Sequence, residues 1–214
     1  MAAPYDLVVF DIGNVLVTAY HTWAGVLGNG GFPFDPHERW DVSVFDLPEY
    51  LPHEAGRMTE EAYLRAVATY AGLAGPEEAR RLHESILGPE VPGVGEVLRE
   101  LSAGGVRTAA FSNNNPMHWR ILTDPARYPS LALLGDLVSS HELGAHKPEP
   151  ESFALLERRL GVEGGRILFF EDNLRNAEAS RAAGWEAVVV DVNEDRAAQI
   201  RAALVERGMP PSAR

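Results

Sequence analysis

Three short apolar stretches of this sequence end in residues that can do chemistry. The stretches cover 7 to 10, 106 to 111 and 167 to 170; Asp11 follows the first, Ser112 the second, and Glu171 and Asp172 the third. A fourth stretch, LVSS at 137 to 140, leads through a loop to Lys147. Short apolar runs rich in branched or aromatic residues are typical of strands buried on both faces. Since ligands bind at the carboxyl ends of the strands in an open parallel sheet, we expect these side chains to converge at one edge.

Together these side chains suit the binding of a phosphoryl group beside a cation. Carboxylates packed together are unfavourable unless a cation joins them, and an all-oxygen set of ligands suits Mg²⁺. A lysine and a hydroxyl beside that cation suit the peripheral oxygens of a phosphoryl group. Each residue taken alone has an ordinary explanation as a turn former, a helix cap or a surface lysine. The prediction therefore depends on the whole set, each member following its own strand.

The stretches between these strands have the apolar spacing of helices. The spacing predicts helices that end before Gly104 and Gly161. Asn173 is the expected N-cap of a third helix, and a last amphipathic helix covers 194 to 207. One further strand is expected at 186 to 190. Strands alternating with helices predict an α/β fold with a parallel sheet and right-handed crossovers.

Residues 18 to 91 interrupt this alternation. The segments MTEEAYLRAVATYAGL and PEEARRLHESIL have helical patterns, and Pro76 is suited to the first turn of the second helix. We expect no strong strand in this region, and VSVF at 42 to 45 is ambiguous. The simplest interpretation is a helical insertion placed directly after the first strand.

Length, charge and composition exclude several classes of protein. The chain has 214 residues, no cysteine and a formal net charge of −12. The absence of cysteine excludes disulfides, thiolate catalysis and cysteine–zinc sites. The negative charge disfavours nucleic acid and anionic membranes as partners, and no apolar run approaches the roughly 20 residues that span a bilayer. The expectation is a cytoplasmic protein that acts on a small molecule; the oligomeric state is not predicted.

Four stretches in order resemble the motifs of the haloacid dehalogenase-like (HAD) superfamily. They are FDIGNVL, FSNNN, HKPEPESF and FFEDNLRNA. The first three are most similar in style to the branch of α-D-glucose-1-phosphate phosphatases, and HEAGRMTEEAY in the insertion is similar to that branch too. The resemblance implies a Rossmann-like parallel-sheet core flanked by helices at 1 to 17 and 92 to 214. It also implies an α-helical cap at 18 to 91.

The resemblance also implies a role for each residue of the site. Asp11 would attack phosphorus and form an aspartyl-phosphate, which splits hydrolysis into two steps. Asp11, the backbone carbonyl of Gly13 and Asp172 would hold Mg²⁺. The transferring phosphoryl group would be bound by Ser112, Asn113 and Lys147. Glu171 would orient Lys147 or a metal-bound water from just behind the metal ligands.

Gly13 departs from the pattern of the usual phosphatases of this superfamily. Those enzymes carry an aspartate at this position, which protonates the leaving oxygen and then activates water. General acid–base help of this kind is typically worth about 10²–10⁴-fold in rate. A substrate with a good leaving group, such as a glycosyl 1-phosphate, would need it least. Alternatively His21, His118 or Glu171 would supply the proton, and His118 is the first to test because it follows the second motif.

The expected activity is therefore hydrolysis of a small phosphomonoester, with a sugar phosphate first among substrates. One alternative is a metal-independent 2-haloacid dehalogenase that uses Asp11 on carbon, because those enzymes also lack the second carboxylate. Another is a protein that binds phosphate and Mg²⁺ without turnover, because Gly13 removes the usual acid.

Overall fold

The computed structural model describes residues 4–35, 40–54 and 56–209. The strands in these ranges are β1 (Leu7–Phe10), β2 (Val17–Ala19), β3 (Leu87–Glu90), β4 (Thr108–Ser112), β5 (Asp136–Ser139), β6 (Ile167–Glu171) and β7 (Glu186–Val189). The α-helices are α1 (Trp23–Gly30), α2 (Tyr50–Glu54), α3 (Glu60–Ala71), α4 (Pro76–Glu84), α5 (Val94–Ala103), α6 (Pro116–Leu122), α7 (Ser140–Leu143), α8 (Pro150–Leu160), α9 (Leu174–Ala182) and α10 (Arg196–Glu206). Single 3₁₀ turns occupy Val44–Asp46, Leu131–Leu133 and Gly164–Arg166.

The main sheet has five strands in the order β5-β4-β1-β6-β7, and all of its pairings are parallel. Strand β1 lies at the centre, where Val8 pairs with Thr108 on one side and Leu168 on the other. All four residues of β1 are fully buried. The predicted α/β fold with a parallel sheet is confirmed, and the central strand is β1, which Asp11 follows directly.

Helices cover both faces of this sheet. Val8 and Phe10 pack into one core cluster with residues of α5 and α10, whereas Leu7 and Val9 pack into another with residues of α8 and α9. Successive side chains of a strand point to opposite faces, so an uninterrupted apolar run supplies both clusters at once. This explains why the core strands read as continuous apolar stretches rather than as alternating ones.

Three predicted helix boundaries agree with the structure, and a fourth is shifted. Gly161 caps α8 with a left-handed backbone (φ 66°), and Asn173 accepts a hydrogen bond from the backbone N–H of Arg175 at the start of α9. Gly104 follows the last residue of α5. The last helix begins at Arg196 with Asp195 as its N-cap, two residues later than predicted.

The segment between β1 and α5 carries helices α1 to α4 and buries a core of its own. That core includes Trp23, Tyr63, Val67 and Leu82, all almost fully buried. Residues 36–39 and 55 of this segment lie outside the described ranges. A helical insertion is thus present, and its boundaries at 18 and 91 stay a prediction.

The expectation of no strong strand in this segment is wrong. Strands β2 and β3 form an antiparallel pair at its two ends, with Val17 opposite Glu90 and Ala19 opposite Leu87. Both strands are short, and β3 contains Gly88 and Pro89, residues that weaken a strand signal. The pairing arises from contacts about 70 residues apart in sequence, which no local pattern contains. The ambiguous VSVF stretch forms part of a 3₁₀ turn (Val44–Asp46).

Among the residues described, every helix is too short or too polar to cross a bilayer.

Candidate active site

A cavity of about 380 Å³ opens at the carboxyl ends of β1, β4 and β6. The residues predicted from the motifs all line it: Asp11, Gly13, Ser112, Asn113, Lys147, Glu171 and Asp172. The helical insertion supplies the opposite wall, through His21, Phe45, Tyr50 and Glu54. The cavity therefore lies between the sheet edge and the insertion, where a small ligand would contact both.

Lys147 is the centre of the charged cluster. Its side-chain amine donates hydrogen bonds to Asp11 Oδ1 at 2.8 Å and to Glu171 Oε2 at 2.6 Å, and the lysine side chain is 1% exposed. The rings of Phe111 and Phe169 lie 5.3 and 5.2 Å from the amine. Two carboxylates and two aromatic faces thus fix a cation in a site nearly closed to water.

The pKa values of the cluster indicate a local shortage of positive charge. Burial raises the pKa of Asp11 to about 8, with further upward contributions from Glu171 and Asp172 that Lys147 only partly offsets. Burial and the neighbouring Glu171 raise the pKa of Asp172 to about 6. Burial alone would lower the pKa of Lys147, but Asp11 and Glu171 outweigh it and the pKa is raised. Three carboxylates share one ammonium group, so one more cation would relieve the repulsion.

The donor set fits Mg²⁺. Asp11, Glu171 and Asp172 each present an oxygen atom, and these atoms lie within 4.8 Å of one another. Both oxygens of Glu171 already have partners, since Oε2 accepts from Lys147 and Oε1 accepts from the backbone N–H of Asn173 at 3.1 Å. Asp11 and Asp172 are therefore better placed than Glu171 to hold the ion, and their role as ligands stays a prediction. Glu171 instead orients Lys147 beside the carboxylates that would hold the ion.

The turn after Asp11 is held by its own side chain–backbone contacts. Asn14 has a left-handed backbone (φ 55°), which asparagine tolerates better than most residues. Its side-chain oxygen accepts from the backbone N–H of Ala19 at 2.9 Å, and its carbonyl accepts from Arg196 at 3.1 Å. These contacts keep Asp11 and Gly13 at the mouth of the cavity.

Gly13 is not required by packing. A Cβ atom built at this position would lie 3.7 Å from Asp11 Oδ2 and 3.8 Å from Ala19 Cβ, which are ordinary van der Waals distances. Its backbone is outside the left-handed region. A side chain at this position would thus lie beside the carboxylate of Asp11 without a steric penalty.

Asn113 acts on Lys147 through the backbone. Its amide group donates to the carbonyl of Lys147 at 2.7 Å, and its side-chain oxygen accepts from the N–H of Lys147 at 2.8 Å. The amide nitrogen of Asn113 has two N–H groups and Lys147 uses one of them, so the second is left for a phosphate contact. Ser112, at the end of β4, is 3% exposed, and its hydroxyl accepts from the side chain of Asn114 at 3.4 Å.

His118 does not fit the role of proton donor. It is not among the described residues that line the cavity. Its ring stacks on His83 with centroids 4.0 Å apart, its Nε2 lies 2.9 Å from the carbonyl of His83, and its Nδ1 lies 3.3 Å from the amide nitrogen of Asn115. Burial lowers its pKa to about 4, so the ring is neutral at pH 7. The expectation for His118 is not met because the insertion covers it.

The other two proposed donors are also poorly suited. His21 lines the cavity and packs on Phe45, but burial lowers its pKa, which leaves it mostly unprotonated at neutral pH. Glu171 has both oxygens engaged. Sequence reasoning missed Glu54, which lines the cavity and whose pKa burial raises to about 7. Its only signal was its place in the HEAGRM stretch, because the position of the insertion over the sheet cannot be read from a local pattern.

Curated relatives of this chain include phosphatases. Phosphatase MT3486 of Mycobacterium tuberculosis is 30% identical over 124 residues, which cover 56% of this chain and 55% of the relative. Validoxylamine A 7'-phosphate phosphatase of Streptomyces hygroscopicus subsp. limoneus is 24% identical over 203 residues, which cover 89% of this chain and 88% of the relative. The chain thus spans about half the length of the first of these relatives and most of the second.

The fold and the sequence match the same family. A HAD family enzyme from Bacteroides thetaiotaomicron, solved as a magnesium complex, superposes with a TM-score of 0.74 at 20% identity, covering 92% of this chain and 99% of that one. The sequence model of the haloacid dehalogenase-like hydrolases matches residues 5–184. With four motifs that converge on one cavity and a model match over most of its length, the chain belongs to the haloacid dehalogenase-like hydrolase family.

Proposed function

We propose that this protein is a Mg²⁺-dependent phosphomonoester hydrolase that works through an aspartyl-phosphate on Asp11. The observation that carries the proposal is the contact of Lys147 with both Asp11 and Glu171, beside three carboxylates whose oxygens could hold a metal ion. The names of the curated relatives, which are phosphatases, support it.

Each residue of the cluster has a task in this reaction. Asp11 attacks phosphorus through its free oxygen, while Lys147 holds the other one and fixes the direction of attack. Lys147 and the Ser112 hydroxyl bind the peripheral oxygens of the phosphoryl group. Asp11, the Gly13 carbonyl and Asp172 would hold Mg²⁺, which supplies electrostatic stabilisation of the charge on the transferring group. Glu171 keeps Lys147 in place, and Asn113 holds the backbone of Lys147.

The substrate class we propose is a small sugar phosphate. A cavity of about 380 Å³ is in the range typical of sites for small metabolites. Phe45 and Tyr50 line the same cavity as Asp11, and aromatic side chains suit the apolar side of a sugar ring. Glycosyl 1-phosphates come first because their leaving oxygen depends least on a proton from the position of Gly13.

The metal-independent dehalogenase is less consistent with the site. Glu171 is fully buried and Asp172 partly buried, both beside the nucleophile, and this arrangement is unfavourable in a site that binds no cation. The non-catalytic alternative is separated from the proposal by experiment. It predicts Mg²⁺ and phosphate binding without release of phosphate from any ester.

The test is phosphate release from a panel of esters, with Mg²⁺ and with a chelator, beside an Asp11→Asn control. The panel pairs glycosyl 1-phosphates with sugar 6-phosphates. Mg²⁺-dependent release that Asp11→Asn abolishes is the expected result. A folded protein that binds Mg²⁺ and releases no phosphate would contradict the proposal, and halide release from 2-haloacids without metal would replace it with the dehalogenase.

A further inference from the structure

Glu54 is the carboxylic acid that the helical insertion contributes to the cavity of Asp11. It is the last residue of α2 and is partly buried. It lines the cavity on one side, and on the other it lines an adjoining groove of about 140 Å³ formed with residues around Ser140 and His146. Glu54 therefore lies at the junction of the insertion and the core, in the lining of the cavity that also holds Asp11 and Lys147.

The surroundings of Glu54 favour its protonated form. Burial raises its pKa to about 7, and the opposing effect of His146 is smaller. Arg57 and His141 line the adjoining groove, and His21 and Tyr50 line the cavity. With a pKa of about 7, roughly half of the carboxyl groups carry a proton at neutral pH, against about 0.3% for an ordinary glutamate. A general acid–base works best with a pKa near the operating pH.

The other titratable side chains of the cavity are less suitable as proton donors. Lys147 and Glu171 are paired with each other, and Asp11 and Asp172 belong to the metal-binding cluster. Burial raises the pKa of Tyr50 well above 10, which makes its hydroxyl a poor acid. His21 has a lowered pKa. Among the described residues that line the cavity, Glu54 is the acid that remains.

The position of Glu54 also matches the direction of the reaction. In phosphoryl transfer the attacking and leaving oxygens lie roughly in line on opposite sides of phosphorus. Asp11 attacks from the sheet edge, so the leaving oxygen faces the insertion, which carries Glu54. The usual position for a donor on the sheet side is Gly13, which has room for a side chain and has none.

We propose that Glu54 is the general acid and base of this enzyme and takes the part left open by Gly13. The inference rests on the proposed phosphatase function. In the first step an oxygen of Asp11 bonds to phosphorus, the ester P–O bond breaks, and its electron pair stays on the leaving oxygen. That oxygen takes the proton of Glu54, which becomes a carboxylate.

The second step restores both carboxyl groups. Water attacks the phosphorus of the aspartyl-phosphate and gives its proton to the Glu54 carboxylate. The bond between phosphorus and Asp11 breaks, which releases inorganic phosphate and an ionised Asp11. Glu54 is again protonated, so the cycle closes without another donor.

The first test compares two esters in Glu54→Gln, which keeps the shape of the side chain but has no titratable proton. A primary-alcohol phosphate such as glucose 6-phosphate needs a proton on its leaving oxygen, whereas p-nitrophenyl phosphate has a weakly basic leaving group. We expect kcat/KM for the sugar ester to fall about 10²–10⁴-fold. With p-nitrophenyl phosphate, rapid mixing should show a near-normal burst of p-nitrophenol followed by slow turnover, because only the second step lacks its base.

The second test measures how kcat/KM depends on pH and whether a new carboxyl group restores the activity of Glu54→Gln. Wild-type kcat/KM for the sugar ester should fall as pH rises through about 7, where Glu54 loses its proton, and Glu54→Gln should lack this decline. Introducing Gly13→Asp into the Glu54→Gln protein places a carboxyl group beside Asp11. We expect kcat/KM of this double variant for the sugar ester to be at least tenfold higher than that of Glu54→Gln alone. Glu61→Gln, at an exposed glutamate of α3, is the matched control and should behave as wild type.

The outcomes separate this inference from the function on which it rests. Suppose that wild type releases phosphate and Asp11→Asn does not. If Glu54→Gln then slows hydrolysis of both esters equally without a burst, or leaves both rates unchanged, Glu54 is not the donor. If wild type releases phosphate from no ester, the phosphatase proposal fails first. Circular dichroism and thermal unfolding of each variant show that a lost rate is not lost folding.

Discussion

The Asn113 side chain forms two hydrogen bonds with the backbone of Lys147, one through each of its polar atoms, at 2.7 and 2.8 Å. The two residues are 34 positions apart. Asn113 follows the end of β4, and Lys147 lies in the loop before α8. This pairing joins the second and third motifs, and it places the ammonium group between Asp11 and Glu171.

Replacing Asn113 by alanine should therefore affect catalysis through Lys147. The change leaves a buried N–H and carbonyl of Lys147 without these partners, which we expect to cost about 1–3 kcal/mol in the free energy of unfolding. Misplacement of Lys147 should lower kcat by about tenfold or more. Urea unfolding and steady-state kinetics measure both. An unchanged kcat in a destabilised Asn113→Ala protein would show that the pairing is purely structural.

Lys147→Met should destabilise the metal-free protein strongly. The substitution removes the cation that contacts two buried carboxylates, and breaking such a buried pair typically costs about 3–5 kcal/mol. Part of the loss should return when Mg²⁺ is added, because the ion restores positive charge to the cluster. Urea unfolding with Mg²⁺ and with a chelator measures both effects.

Arg65→Met is the matched control for Lys147→Met. Arg65 pairs with Glu61, but the two side chains are 68% and 70% exposed, so its loss should change stability by less than about 1 kcal/mol. Equal effects of the two substitutions would contradict the argument from burial.

Mg²⁺ should raise the thermal stability of the protein, and Asp172→Asn should remove this effect. A ligand that binds only the folded state stabilises it by about 2.7 kcal/mol at one hundred times its dissociation constant. Asp172→Asn removes a ligand and also one of the charges that repel Asp11. The metal-free variant should thus be at least as stable as wild type but insensitive to Mg²⁺. A melting temperature that still rises with Mg²⁺ would place the ion elsewhere.

Two buried histidines, His53 in the insertion and His118 in α6, should make the fold sensitive to acid. Burial lowers the pKa values of His53 and His118 to about 4, against 6.5 for an ordinary histidine. The unfolded chain therefore binds more protons than the folded one between pH 6.5 and 4. As pH falls through that window, each histidine should lower the free energy of unfolding by up to about 1.4 kcal/mol per pH unit, with no effect above it.

His53→Phe tests this directly. Within the described residues, neither ring nitrogen of His53 has a hydrogen-bond partner. The ring packs edge-on against Tyr63, with the two ring centroids 4.2 Å apart. Phenylalanine keeps the ring and removes the titrating group, so stability at pH 7 should hold or rise, and its decline toward pH 4.5 should be shallower than in wild type. Urea unfolding at several pH values gives the slope of the free energy of unfolding against pH for the variant and for wild type. Parallel slopes would show that His53 does not titrate in this window.

The sequence by itself determined the core of the fold and the side of the cavity formed by the ends of the core strands. An apolar run such as LVVF must be buried on both faces, and Asp11 directly after it must then lie at the carboxyl edge of the sheet. The same reasoning applies to Ser112 and to Glu171 with Asp172. Strand pairing brings these ends together whatever lies between them, and for this reason a local pattern was sufficient.

The tertiary structure decided which residues of the helical insertion and of α6 reach the cavity. Whether His118 or Glu54 reaches the cavity depends on how the helical insertion lies over the sheet, and that arrangement arises from packing between residues far apart in sequence. The same cause produced the β2–β3 pair, whose strands carry almost no signal of their own. Burial then set the pKa of Glu54, because the free energy of a charge depends on the water around it and not on its neighbours in the chain.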